Sequence, residues 1–357
     1  MPAPYLDDYA SARAAFLEAA RARALPTWTL PLDATGPGEL PLSIDITCLG
    51  PQDAPKALVH VSGVHGVEGV CGSAIQRSLL AEPPELPPDT ALFLVHAINP
   101  YGWAWRRRVN ELNVDLNRNF LPPDRPYSGA PETYARLDPL LNPPSPPGPD
   151  LFLPKVVWNI ARHGFNSLKQ AVVGGQYAYP QGLFFGGSGL QQGPRLYMDW
   201  VREHLSGRQQ LLVIDVHTGL GEPAYDSLLV DCDPGTEASR RLEAIFGERI
   251  IPWDPDAGVA YQIEGGHTFI YARLCSGRVD TVTQEFGTSK PLAVLKALRE
   301  ENRLHLHGDL GPTALDHPAK RQLLETFAPA RTGWRELVLE RGLTLVDQGL
   351  KGLAPST

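Results

Sequence analysis

The sequence predicts an α/β protein with a mixed, mostly parallel central sheet flanked by helices and carrying an inserted helical segment. Three observations support this. Apolar runs of strand length at 57–61, 92–95, 211–216, 227–230 and 279–283 alternate with longer stretches of helical period, the pattern of a sheet covered on both faces. Polar residues capable of chemistry follow three of those runs: His65 and Glu68, His217, and Glu285. These are carboxyl ends of strands, where open α/β sheets gather their ligands. Between about 122 and 194 the texture changes to proline clusters and paired glycines around helical pieces.

Taken in order, 7–24 is rich in alanine and arginine and reads as a helix with Asp7 or Asp8 as its cap. Leu40, Leu42, Ile44 and Ile46 alternate with other residues, which predicts a half-exposed strand near a sheet edge. A core strand over 57–61 leads into a helix over 70–80, and a second core strand covers 92–95. The segment 122–194 contains Asn142-Pro143-Pro144-Ser145-Pro146-Pro147, Gly174-Gly175 and Gly186-Gly187-Ser188-Gly189. It reads as an insertion that shapes access to a site, or equally as a structural elaboration. Strands over 211–216, 227–230 and 279–283 follow, with helices over 237–246, 291–304, 319–326 and 334–339. At 357 residues, one domain spanning 1–357 with the insertion inside it is the simplest organisation.

A formal charge of −8 opposes an extended basic field for nucleic acid or anionic membrane, and Arg106-Arg107-Arg108 is too short to reverse it. The amino end has neither a basic n-region nor an apolar h-region, and no apolar run reaches the roughly 18 residues of a membrane span. The expectation is a soluble cytoplasmic protein. Cys48, Cys71, Cys232 and Cys275 are scattered without Cys-x-x-Cys spacing, which suits buried thiols better than a disulfide frame or a thiolate metal site.

In Gly63-Val64-His65-Gly66-Val67-Glu68-Gly69 an imidazole and a carboxylate lie three residues apart between glycines that let the backbone turn tightly. With His217 they make two histidines and one glutamate, a set that leaves one position on a tetrahedral zinc open for water. Singly, His65 reads as a core histidine and Glu68 as a carboxylate favoured at a helix N-terminus; the combination with His217 and Glu285 favours the metal. A second patch runs from Arg106 to Phe120 and mixes guanidinium, amide and carboxylate groups, which are costly to bury unless paired. Within it Arg118 offers a planar fork for a substrate carboxylate and Asn117 a hydrogen bond beside it. Asp115 is suited to accept the free ring N–H of a metal-bound histidine.

These motifs in this order, His-x-x-Glu at 65 and 68, Asp-x-Asn-Arg at 115–118, His217 after a strand and Glu285 late, resemble the zinc carboxypeptidase superfamily of the carboxypeptidase A type. Within it the chain resembles a bacterial branch that is also similar to the aspartoacylase and succinylglutamate desuccinylase group. The resemblance covers about 57–288. It implies that His65, Glu68 and His217 bind Zn2+, that Glu285 is the general base, that Asn117 and Arg118 clamp a carboxylate, and that Asp115 supports a ligand. An oxyanion-stabilising arginine lies upstream of the clamp in the family; Arg106, Arg107 and Arg108 compete for it, with Arg108 favoured. Tyr261, with Tyr271 behind it, is the candidate for the family's mobile tyrosine. The 122–194 insertion departs from the simple digestive enzymes, and Asp215-Val216-His217-Thr218-Gly219 is closer to the deacylases.

The implied activity is hydrolysis of an amide bond next to a free carboxylate, in a small peptide or, as the alternative, in an N-acyl amino acid. An inactive metal-binding or interaction protein is the alternative from another class, and retention of ligands and base argues against it. A serine hydrolase fits poorly, because Gly186-Gly187-Ser188-Gly189 lacks the Gly-x-Ser-x-Gly frame.

Overall fold

The computed structural model describes residues 5–223, 225–252, 263–311 and 313–354. Helix α1 (Tyr9–Ala22) starts after Asp8, whose carboxylate accepts the N–H of Ser11 at 2.8 Å. Strand β1 (Thr27–Gly36) then pairs antiparallel with β2 (Leu40–Leu49). The strand lies near the edge as expected, but the structure corrects its half exposure: β1 takes the edge itself and shows alternating burial, while β2 is buried from Leu42 onward. The polar residues of β2 tolerate this because each finds a partner. Asp45 accepts from Arg13 at 2.6 Å and from Thr29 at 2.7 Å, and the Ser43 backbone exchanges hydrogen bonds with the Tyr9 hydroxyl.

The chain continues through β3 (Lys56–Ser62), α2 (Gly69–Ala81), β4 (Thr90–His96) and the short α3 (Pro100–Ala104). The 122–194 segment contributes α4 (Glu132–Leu141), α5 (Phe152–His163), α6 (Phe165–Val173) and the start of α7 (Gln192–His204). Then follow β5 (Gln210–Gly219), β6 (Asp226–Val230), α8 (Glu237–Phe246), β7 (Ile250–Pro252), α9 (Phe269–Leu274) and β8 (Arg278–Gly287). Three helices close the chain: α10 (Pro291–His307), α11 (Pro318–Phe327) and α12 (Thr332–Leu353). Helix α12 runs well past the expected 334–339. Glycine inside a helix costs about 1 kcal/mol, but Gly342 lets α12 press onto α2, since a Cβ there would strike the side chain of Ile75.

Among the described residues the strands form one eight-stranded sheet in the order β1-β2-β4-β3-β5-β8-β6-β7. The central β4, β3, β5 and β8 are parallel, and β2 and β6 join them antiparallel, so the sheet is mixed and mostly parallel at its centre. One apolar layer joins the sheet to α1, α2, α8 and α12 through residues such as Phe16, Ile75, Leu242 and Leu345. Another joins its opposite face to α7 and α9 through Trp200, Val201 and Ile270. A third cluster lies off the sheet, where Leu137, Val156 and Leu168 of α4–α6 pack with Leu298 and Phe327 of α10 and α11. The four cysteines are free thiols, and no helix of the described residues is long and apolar enough to cross a membrane.

Candidate metal centre and catalytic site

Strands β3, β5 and β8 lie side by side and parallel, so their carboxyl ends meet at one edge of the sheet. His217 and Glu285 are direct cross-strand partners there. His65 and Glu68 come from the turn between β3 and α2. That turn fits closely under α3: a Cβ at Gly66 would collide with the backbone of Gly102 and Trp103, and the N–H groups of Gly66 and Val67 donate to the carbonyls of Arg108 and Arg107. The tight packing fixes the His-x-x-Glu turn against the loop that carries the arginines.

His65, Glu68 and His217, all buried, each offer a ligand atom, and these atoms lie within 4.8 Å of one another. His65 Nδ1 is 3.1 Å from His217 Nδ1 and 2.9 Å from Glu68 Oε1, while His217 Nδ1 is 3.2 Å from Glu68 Oε2. The outward nitrogens face carboxylates: His65 Nε2 lies 3.0 Å from Asp115 Oδ1 and His217 Nε2 lies 3.0 Å from Asp215 Oδ2. A buried carboxylate needs a donor, which assigns the proton of each neutral ring to Nε2. Both inward Nδ1 atoms then point lone pairs at each other and at a carboxylate. Such a cluster of acceptors is stable around a cation and repulsive without one, and its two imidazoles and one carboxylate are the donor types zinc accepts.

Protonation is the other way such a cluster relieves its repulsion. Burial opposes charge on His217, but the charge and hydrogen bond of Asp215, with those of Glu68, hold the ring well above the usual histidine range. Burial would raise Glu68, yet the charges and hydrogen bonds of His65 and His217 hold it well below the usual carboxylate range. Asp115 is likewise held low against burial, chiefly by Arg108 and His65. Glu285 behaves in the opposite way. Burial and the neighbouring charge of Glu68 push it up to about 7, against the pull of His217 and the Leu220 N–H that donates to its Oε1 at 2.9 Å. A carboxyl group near neutrality beside a cation site is suited to accept and return a proton.

Of the three clustered arginines, Arg108 faces this site. It donates to Glu68 Oε1 at 3.1 Å and to Asp115 Oδ2 at 3.0 Å, and its guanidinium lies over the Phe184 ring. Arg106 reaches the Leu315 carbonyl, and Arg107 binds Glu301, Asn113 and Asn302 in a buried cluster that also holds Lys320. Asn117 lines the cavity beside the ligands, with its side-chain oxygen accepting the His267 N–H. Arg118 is placed differently from a carboxylate clamp. Its side chain is fully buried, Nε and Nη2 donate to the Val173 carbonyl at the end of α6, and Nη1 donates to the Asn117 carbonyl. It is absent from the cavity lining. Tyr261 lies outside the described residues. Tyr271 is buried and its hydroxyl bonds Tyr197 and His267, away from the lining.

Two groups of the site escape a motif search. Asp215 sits two residues before His217 on the same strand, so strand period places both on one face, and that spacing was the available signal. His267 has no such signal. Its Nδ1 lies 3.1 Å from the Asp215 oxygen that also meets His217, which makes a fully buried chain from His217 through Asp215 to His267. The metal-ligand residues, Glu285, Arg108 and Asn117 all border one cavity of about 190 Å³, whose remaining wall is largely apolar side chains of the 122–194 segment and α10.

Several solved structures are similar in fold. Carboxypeptidase A from Helicoverpa armigera shares 14% identity, with 89% of this chain and 73% of that chain covered and a TM-score of 0.48. A metallo-carboxypeptidase from Burkholderia cenocepacia shares 13%, covering 96% of this chain and 68% of that one at a TM-score of 0.47. An aspartoacylase family protein from Mesorhizobium loti shares 14%, covering 79% and 67% at 0.39. No curated protein matches the sequence. Residues 5–341 match the family described as a protein of unknown function, DUF2817.

Proposed function

We propose that this chain, which belongs to the DUF2817 family, is a zinc-dependent hydrolase of amide bonds, carboxypeptidase-like in its chemistry. The observation that carries the reading is the convergence of His65, Glu68 and His217 on one point with Glu285 raised to about 7 beside them. A zinc ion held by those three residues would supply Lewis-acid polarisation of the substrate carbonyl and of the attacking water. Glu285 accepts the proton of that water and returns it to the departing nitrogen, so water adds across the C–N bond and leaves a carboxylic acid and an amine. Arg108 sets a fixed positive charge where oxyanion charge develops, a contribution typically worth about 3 kcal/mol. Asp115 and Asp215 fix the rings of His65 and His217 by accepting their outer N–H groups.

The substrate reading is a small peptide or an N-acyl amino acid with a free carboxylate. The apolar wall of the cavity favours the N-acyl amino acid as the second reading, because an acyl group is itself hydrocarbon. Asn117 borders the cavity, where its amide N–H groups would meet a carboxylate; Arg118 would have to exchange the Val173 carbonyl for it. Elemental analysis of the purified protein should find about one zinc per chain, lost in His65→Ala and His217→Ala, the expectation for a three-ligand site. A panel of free-carboxylate peptides and N-acyl amino acids should show metal-dependent hydrolysis. Full metal content in both variants, or a zinc-loaded protein that cleaves no member of the panel, overturns the reading.

A further inference from the structure

We infer that the substrate carries an uncharged hydrocarbon arm on one side of the scissile amide, which inserts into the cavity wall built by the 122–194 segment and α10. The inference rests on the amide-hydrolase reading for the reacting end and on the cavity for the arm. The catalytic groups border only one part of the cavity. Leu137, Val156, Ile160 and Leu168 of α4–α6 and Leu295 and Leu298 of α10 border another part, and Leu229, Val230, Asp231, Ile251 and Thr268 from the β6–α9 stretch complete the lining. The polar side chains that 122–194 adds to the lining are Asn159 and Lys169.

Three physical points follow. Charged or peptide-like groups inserted among these side chains would lose hydration without enough partners to replace it, which costs several kcal/mol per group. Hydrocarbon meets no such penalty, and each buried methylene improves binding by about fourfold. Size bounds the length: apolar cavities of about 150 Å³ take a six-carbon ring, and the volume of about 190 Å³ here also has to hold the reacting amide, so an arm of about eight carbons is the upper limit.

The arm is also a reason for the insertion to exist. Without α4–α6 the strand-end groups would have a wall only from α10, α11 and the sheet; with them, one side of the site becomes a dry compartment. Arg118 contributes by holding the end of α6 through the Val173 carbonyl, so an arginine of the catalytic loop anchors the wall.

The test measures chain-length dependence in two independent ways on the zinc-loaded protein. Turnover is compared for N-octanoylglycine and N-acetylglycine, and binding by calorimetry is compared for n-octanoate and acetate, where both carry the same carboxylate and only the arm differs. The octanoyl member of each pair should be preferred by about 100-fold, short of the full methylene series because part of the arm passes the polar end. Ile160→Trp fills the cavity from a partly buried position and should reduce both ratios below about tenfold; Leu140→Trp repeats the measurement from a second position should the first variant fold poorly.

Ratios within about threefold in both assays, or ratios untouched by both tryptophan variants, overturn the inference. The two readings fail separately. Octanoate discrimination without hydrolysis of any amide removes the amide-hydrolase reading and keeps the apolar arm. Hydrolysis without discrimination does the reverse.

Discussion

Around the cavity, the ends of β3, β5 and β8 present charged side chains, buried or, for Glu285, partly buried, and each held by a partner, whereas the helices of 122–194 present mainly hydrocarbon. The first side is pinned by hydrogen bonds of about 3 Å from His65 to Asp115 and from His217 and His267 to Asp215. The second is a group of three helices, α4–α6, and α5 carries apolar residues facing both ways. On α5, Phe152 and Val156 are buried while Leu153, Val157 and Trp158 are exposed. The difference teaches where each kind of specificity resides. A charge removed from the first side leaves its buried partner uncompensated, at about 3–5 kcal/mol, and alters reactivity. A methyl group removed from the second side changes fit by about 1 kcal/mol and alters preference among substrates.

The sharpest way to break this contrast is at Glu285. Glu285→Gln keeps an acceptor for the Leu220 N–H and introduces no charge, so the fold and metal content should persist while kcat falls by about 100-fold or more, the range of a lost general base. Metal loss in Glu285→Gln together with metal retention in Glu68→Gln would exchange the roles of the two glutamates.

A smaller effect is expected one step further from the reacting atoms. His267 is neither a candidate ligand nor itself a lining residue, and it acts through Asp215 on His217. His267→Phe should weaken zinc binding by about 10- to 100-fold in competition with a chelator, as removal of such supporting groups does. His267→Asn, whose amide can donate in place of Nδ1, should recover most of the affinity. Equal affinity in both variants would reduce His267 to a packing residue and would confine the pinned side of the cavity to the strands.

The same contrast decides what was legible in the sequence. His65, Glu68, His217 and Glu285 could be singled out because an unusual side chain followed a strand-length apolar run, and the parallel order of β3, β5 and β8 brings those ends together. The core strands and the helices at 70–80, 237–246 and 291–304 match their periods closely. Where two physical demands compete, the period misleads. The alternation of β2 reads as one exposed face, but Asp45 and Ser43 are buried against Arg13 and Tyr9, partners that only the tertiary fold supplies. Strands β1 and β7 carry no clear signal in the sequence; Pro31 interrupts the first, and the second is three residues long. The helices of 122–194 could be suspected but not their role, because apolar residues lining a cavity carry the same pattern as apolar residues filling a core. His267 lacks any local signature, since its partner Asp215 lies 52 positions away.

Arg118 stands on the border between the two sides, and its replacement should have the smallest catalytic effect of the three. The sequence offered it as a carboxylate clamp; the structure engages its fork with the carbonyls of Val173 and Asn117. If a clamp, it would favour acids over the corresponding amides by roughly 10- to 150-fold, the worth of a hydrogen-bonded charge at about 1.5–3 kcal/mol. As a tether, it spends that same energy on holding α6 to the catalytic loop. Arg118→Ala should therefore lower the free energy of unfolding by about 1.5–3 kcal/mol in a denaturant titration and shift the acid-to-amide ratio in kcat/KM by less than about threefold. Lysine should not restore stability, since its single ammonium cannot reproduce the spread of a guanidinium over two carbonyls. Loss of a large acid preference with no change in stability would return Arg118 to the clamp and place the carboxylate end of the substrate against α6.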